Sequence, residues 1–322
     1  MMDYLKKLPK VELHVHLDGS VRPTTASELL GQPLSDVKEA MMAPSTCHSL
    51  TEYLKRFDLP ISLLQTKENI IRIARELALD LKDDGVIYAE IRFCPLFHTQ
   101  QGLSKEEVVE AVLEGLSTVD LKTNLILCMM RHFSFEQNLE VISLAEKYLY
   151  RGVCALDLAG DEANFPTGQF APLFEVIREK QIPYTIHAGE AAGMESVKSA
   201  LAFKTNRLGH GIHIIDDLNF AKQYANKNIM LEICPTSNVQ TKAVSSYQNH
   251  PIKTLFSLGY PVSINTDNRT VSNITLTKEY ELLQKHFGFT EKEFQTINLQ
   301  AIEYSFLKQE EKDEIIKTIK KM

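Results

Sequence analysis

The stretch VELHVHL (11–17) is short, apolar and rich in β-branched residues, and it carries His14 and His16 one residue apart. Side chains alternate faces along an extended strand, so these two imidazoles point the same way. A strand apolar on both faces belongs in a parallel sheet buried under helices. Seven further runs of this kind follow: GVIYAEIRF (85–93), NLILCMM (124–130), VCALDLA (153–159), PYTIHAG (183–189), RLGHGI (207–212), IMLEIC (229–234) and PVSINT (261–266). Helical patterns lie between them. Ile70, Ile73, Leu77 and Leu81 predict a helix over 69–81, and Val108, Val112, Leu116 and Val119 predict one over 105–119. Gly85, Gly152, Gly259, Pro183 and Pro261 punctuate the entry into several strands. Eight strands alternating with helices predict an α/β fold closed as a (β/α)8 TIM barrel, a unit of roughly 250 residues or more. The chain of 322 residues then reads as one barrel domain, 1–322. An open doubly wound sheet is disfavoured, because no G-x-G-x-x-G follows the first strand.

Two stretches exceed what a barrel needs. Residues 18–84 separate the first two candidate strands and include SLTEYLKRFDLPISLL (49–64). A long excursion after a barrel strand lies on the catalytic face, so a helical lid is expected at about residues 24–66. The last 30 or so residues read as one or two amphipathic packing helices.

Composition narrows the class. The chain is 44% hydrophobic and 24% charged with a net charge of -7, and it has no Lys/Arg block of the kind that grips a phosphate backbone. Nucleic acid is therefore not an expected partner. Cys47, Cys94, Cys128, Cys154 and Cys234 include no C-x-x-C pair and read as scattered thiols of a reducing compartment. MMDYLKKLPK lacks the apolar core of a signal peptide, and no apolar run approaches the roughly 20 residues of a membrane span. A cytoplasmic protein without membrane contact is expected; oligomeric state is left open.

Other candidate strands also end in ionisable residues: His187 and Glu190 after the fifth, His210 in the sixth and Asp267 after the eighth. In a barrel these ends converge on one mouth. Three imidazoles and one carboxylate, without thiolate, suit zinc with an open coordination position. Zinc brings a bound water toward a pKa of ~7. His210 is the candidate base for its proton, and Glu190 the candidate acid. His48, His98, His132, His213, His250 and His286 read as surface or loop residues, although His98 and His132 also follow strands.

With KVELHVHLDGS (10–20), DLAGDE (157–162), TIHAGE (185–190), RLGHGI (207–212), CPTSN (234–238) and INTD (264–267), the chain resembles the adenosine deaminases of the amidohydrolase superfamily up to about residue 310. The H-x-E and P-C-x-x-C pattern of the cytidine-deaminase type is absent. The resemblance implies one zinc ion per chain on His14, His16, His187 and Asp267, with His16 also beside the substrate. It implies that Glu190 protonates purine nitrogen 1. His210 would orient and help deprotonate the water, with Asp267 as a second acceptor. The Gly160 N–H would meet nitrogen 3. Asp18 would hold the ribose hydroxyls, favouring adenosine or 2′-deoxyadenosine over adenine; its other reading is a cap on the turn after the strand. Family members often read T-D-D where this chain has Thr266-Asp267-Asn268, and an asparagine amide can donate to nitrogen 7 at any pH.

Phe57 and Leu54 resemble the family's hydrophobic cover over the ribose, or else they are core residues of the excursion. Arg92 and Asp157 read as structural polar residues below the site, Ser237 and Asn238 as supports, and Met129-Met130 as core. Three other readings stay open: deamination of adenine, an N6-methylated nucleotide or 5′-methylthioadenosine; a nucleoside- or metal-binding protein without turnover; and a two-metal amidohydrolase. The last is disfavoured because ALDLAG (155–160) lacks the bridging lysine.

Overall fold

The computed structural model describes residues 2–45, 47–225 and 227–321. All eight expected strands form: β1 (Lys10–His16), β2 (Val86–Phe93), β3 (Lys122–Met130), β4 (Val153–Ala159), β5 (Ile186–Ala188), β6 (Arg207–His210), β7 (Met230–Ile233) and β8 (Val262–Ile264). β5 and β8 are shorter than their apolar runs. Those runs open at Pro183 and Pro261, which have no N–H to give to a ladder.

Neighbouring strands pair in parallel through β1-β2-β3-β4 and through β5-β6-β7-β8. Two seams join these halves into a closed barrel. Between β4 and β5, Leu156 N–H donates to Pro183 O and Thr185 N–H to Leu156 O, both at 2.9 Å. Between the end of β8 and β1, Asp267 N–H donates to His14 O at 2.9 Å and His16 N–H to Asp267 O at 2.7 Å. One rung lower, an asparagine side chain takes the place of a main-chain acceptor: Leu13 N–H donates to Asn265 Oδ1 at 2.9 Å, while Asn265 Nδ2 donates to Ser263 Oγ at 2.9 Å.

Helices cover the outside. Lys67–Asp83 starts where the Thr66 hydroxyl accepts the Asn69 N–H, and it buries Ile70, Ile73, Leu77 and Leu81 as their spacing predicts. Lys105–Ser117 is set by a Ser104/Glu107 capping box. Val119 falls just past its end but is still buried. The excursion after β1 folds into short helices at Pro23–Leu30, Leu34–Met41, Leu50–Leu54 and Asp58–Leu63. The C-terminal helix Gln309–Lys320 packs Ile315 and Ile319 with Val11, Leu13, Tyr88 and Met230, near the N-terminal ends of the strands. Among the described residues no helix is long and apolar enough to cross a membrane.

Because Asn265 stands in for main chain at the seam, Asn265→Ala leaves the buried Leu13 N–H without an acceptor. It should destabilise the fold by about 1–3 kcal/mol. Urea denaturation monitored by circular dichroism checks this, and an unchanged midpoint would mean that the seam does not rely on this side chain.

Candidate metal centre and active site

The strand order brings the sequence-predicted residues to one end of the barrel. His14 and His16 share a face of β1 with ring centroids 5.5 Å apart, and His187 on β5 lies 4.5 Å from the His14 ring. His16 Nε2 stands 3.4 Å from His187 Nε2 and 3.4 Å from Asp267 Oδ1; His14 Nε2 stands 3.4 Å from the same carboxylate oxygen. His14, His187, His210 and Asp267 each offer a ligand atom within 4.8 Å of the others. Tetrahedral zinc with bonds of roughly 2.0–2.1 Å has ligand–ligand edges of about 3.3 Å, close to the observed spacing. His14 Nε2 is buried without a hydrogen-bond partner, so it has a lone pair to give. The donor set is therefore able to hold a metal ion. His210 and Asp267 both sit in the left-handed backbone region, at φ 60° and 59°, which is costly for residues with a Cβ and turns their side chains toward the cluster.

Beneath the imidazoles the barrel interior is polar. Glu232 on β7 accepts from His14 Nδ1 (2.9 Å), Arg92 (2.8 Å), Arg207 (2.8 Å) and Thr185 (2.7 Å). Arg92 also donates to Asp157 at 2.8 Å, and the same Asp157 oxygen lies 2.8 Å from His187 Nδ1. Arg207 reaches Glu90 at 2.6 Å. Burial opposes ionisation of Asp157, but His187 and Arg92 overturn it and hold the carboxyl well below its usual range. Burial likewise opposes ionisation of Glu232, and Arg207 and Arg92 hold it low. Two guanidinium groups thus face three buried carboxylates, those of Glu90, Asp157 and Glu232, and the buried Asp267 stands above them against His14 and His16. The uncompensated negative charge suits a divalent cation at the imidazole cluster. Arg92 and Asp157 were legible as structural polar residues. Glu232, Arg207 and Glu90 were missed, and their signal was a charge inside an otherwise apolar strand run.

Glu190 leaves the turn after β5 in a fixed pose. The Glu162 carboxylate accepts the N–H groups of Gly189, Glu190 and Ala191 at 2.6, 2.9 and 2.7 Å, and Arg131 donates to His187 O at 2.6 Å. Thr241 Oγ1 donates to Glu190 Oε1 at 3.0 Å, while Oε2 lies 3.5 Å from His210 Nε2. Burial, followed by the charges of Asp267 and Glu162, pushes the Glu190 carboxyl well above its ordinary range, which favours its protonated form. Ser237 Oγ donates to Asp267 Oδ2 at 2.6 Å.

Above these groups lies a cavity of about 330 Å³, within the size range of small-ligand sites. His16, Asp18, Phe57, Gly160, His187, Glu190, His210, Asp267 and Asn268 all line it. Every site residue named from the sequence, apart from the deeper His14, therefore reaches one cavity. Gly160 has φ 104°, a backbone conformation that favours glycine. Asp18 is pushed up to about 7 by burial. Asn268 Nδ2 donates one N–H to the Tyr53 hydroxyl at 3.1 Å, and the amide has a second N–H. Tyr53, unnoticed in the sequence, joins Leu54, Phe57 and Ile61 of the excursion on the cavity wall. No lysine or arginine is among the lining residues, whereas Asp58 and Asp161 are. Two histidines assigned to surface or loop positions are in fact buried, His98 and His250, at 1% and 4% exposure. His98 packs beside the Phe93 ring and His250 meets Asn238 and the Ile252 N–H, contacts that the residues themselves do not signal.

A sequence model of the family described as adenosine deaminase matches residues 9–322. An adenosine deaminase of Clostridium acetobutylicum is 43% identical over 97% of this chain and 97% of that protein. One from Clostridium botulinum strain Loch Maree is 43% identical over 98% of each. The solved N6-methyl-AMP deaminase of Arabidopsis thaliana superposes with a TM-score of 0.88 and is 29% identical, over 100% of this chain and 98% of that one.

Asp157 orients His187 and shares Arg92 with Glu232, so Asp157→Asn should weaken metal binding about 10–100-fold and, by removing one charge from a buried ion pair, also lower stability. Competition against a chromophoric chelator measures this. Wild-type affinity in the variant would detach Asp157 from the metal centre.

Proposed function

The chain belongs to the adenosine deaminase family, and from that premise we propose that it hydrolyses adenosine and 2′-deoxyadenosine to the 6-oxopurine nucleosides and ammonia, with one zinc ion per chain held by His14, His16, His187 and Asp267. The observation that carries this reading is the convergence on one cavity of Glu190, a carboxyl whose burial favours its protonated form, with the imidazole and carboxylate cluster. A general acid of this kind is what a purine ring needs before water can add to carbon 6.

The zinc, when bound, supplies a water acidic enough to act as nucleophile near neutral pH. Glu190 gives its proton to purine nitrogen 1, which draws electron density from carbon 6. His210, at φ 60° on the end of β6, holds the attacking water against that carbon. Asp267 receives the proton the water loses and returns it to the departing amino group. As the carbonyl forms, the remaining hydroxyl proton passes back to Glu190. Water thus places its oxygen on carbon 6, one proton on ammonia and one on the acid that began the cycle.

The Gly160 N–H faces purine nitrogen 3, and the second N–H of Asn268 serves nitrogen 7. Asp18 accepts from the ribose hydroxyls, which makes a nucleoside a better ligand than the free base. Leu54, Phe57 and Ile61 cover the sugar as the wall of a lid formed by residues 24–66. The N6-methyl-AMP deaminase likeness raises a nucleotide substrate. The lining argues against it, since it offers Asp58 and Asp161 and no lysine or arginine to a phosphate dianion. The five free cysteines, all buried, support a reducing, cytoplasmic location.

Loss of adenine ultraviolet absorbance should be rapid with adenosine and deoxyadenosine, and slow with adenine, 5′-methylthioadenosine and N6-methyl-AMP; the reverse order would refute the nucleoside assignment. Metal analysis should return one zinc per chain, and activity should fall with its removal by chelator. Glu190→Gln should keep the zinc and lose about 10²–10⁴-fold in kcat. Asn268→Ala should lower kcat/KM for adenosine about fivefold, as loss of a hydrogen bond of roughly 1 kcal/mol predicts. The same variant should affect 7-deazaadenosine far less, and equal losses on both substrates would remove the nitrogen 7 contact.

A further inference from the structure

His210 can work on the attacking water in two opposite ways. With a bare Nε2 it accepts the water's proton; with Nε2–H it donates a hydrogen bond to the water's oxygen. The neutral imidazole offers one protonated and one bare nitrogen, and the choice is made by the partner of the other nitrogen.

That partner belongs to a buried chain of three hydrogen bonds with a fixed starting point. The main-chain N–H of Ile252 donates to His250 Nδ1 at 3.2 Å. An N–H has no other role to play, so His250 Nδ1 is the bare nitrogen. Burial lowers His250 to about 3, which keeps the ring neutral, and its single proton is therefore on Nε2. His250 Nε2 lies 3.2 Å from Asn238 Oδ1, the acceptor that this proton requires. With Oδ1 committed, the Asn238 amide nitrogen faces His210 Nδ1, 2.9 Å away, and donates to it. Turning the amide over would set its N–H against the His250 N–H. Moving the His250 proton to Nδ1 would set it against the Ile252 N–H. Each alternative buries two donors face to face. Asn238 and His250 are both within the protein interior, at 0% and 4% exposure, so water does not relieve such a clash.

On the proposed reaction we infer that Asn238 and His250 are positioning residues that hold His210 with its proton on Nε2, so that His210 donates to the oxygen of the attacking water and leaves the water's proton to Asp267. The backbone of Ile252, outside the cavity, thereby sets the polarity of a group inside it. His210 acts by orienting the oxygen lone pair toward carbon 6 and by stabilising negative charge on that oxygen.

The test reads the tautomers directly. In the zinc-loaded wild-type protein, ¹⁵N NMR of the histidine rings should show Nδ1 bare and Nε2 protonated for both His210 and His250. A proton on His210 Nδ1 would overturn the assignment, whatever the substrate proves to be. Asn238→Asp replaces the amide with an acceptor for both rings, so it should move the His210 proton to Nδ1. It should also lower kcat by about 10²–10⁴-fold with KM changed less than about threefold, the size of effect expected when a catalytic imidazole holds the wrong tautomer. A variant whose His210 switches tautomer while kcat stays near wild type would also overturn it. Absence of deamination by a wild-type protein with the expected tautomers would count against the proposed reaction and not against this hydrogen-bond chain.

Discussion

Arg92 carries the rest of the structure on two hydrogen bonds. One of its nitrogens binds Asp157 and another binds Glu232, and those two carboxylates hold His187 and His14 by their Nδ1 atoms. All of these groups except His187 are wholly buried. A buried ion pair adds little net stability, because desolvating both charges consumes most of the attraction, yet removing one partner is costly. The interior is thus committed to a complete set. With Arg92 and Arg207 holding Glu232 low, His14 presents Nδ1–H to it and leaves Nε2 toward the imidazole cluster. The excess of carboxylates over guanidinium groups makes the imidazole cluster above them suited to a cation.

Closure of the barrel and construction of the site are one event. The seam between the ends of the chain's barrel is made by main-chain atoms of His14, His16 and Asp267, the residues whose side chains converge above it. Backbone strain at His210 and Asp267 persists because parallel pairing, Ser237 and Asn238 over-determine their positions. The excursion after β1 adds the apolar half of the cavity through Leu50, Tyr53, Leu54 and Phe57. Tyr53 also joins that wall to Asn268, since its hydroxyl takes one N–H of the amide and contacts Ser272 at 2.7 Å.

Much of this was readable in the chain. Period-two and period-3.6 patterns are local, so eight strands and the helices over 69–81 and 105–119 could be placed from apolar spacing alone. His14 and His16 declared themselves because strand alternation puts them on one face. Glu190, His210, Asp267, Asp18, Gly160 and Asn268 were named from their places in or beside the motifs, and Phe57 from its place in the excursion. What stayed hidden were residues whose role depends on a distant partner. Glu232 looks like one charge in an apolar strand until Arg92, Arg207 and His14 surround it, and His250 looks like a loop histidine until Ile252 and Asn238 close around it.

Sequence by itself therefore determined the order of strands and which ionisable residues stand at their ends, because each is a property of a short segment and its periodicity. Only the tertiary structure decided the states that the interior favours: which carboxyls are held low, which are pushed up and which partner each imidazole nitrogen meets. Those states are set by burial and by contacts between residues tens to hundreds of positions apart, and no local pattern encodes such energies.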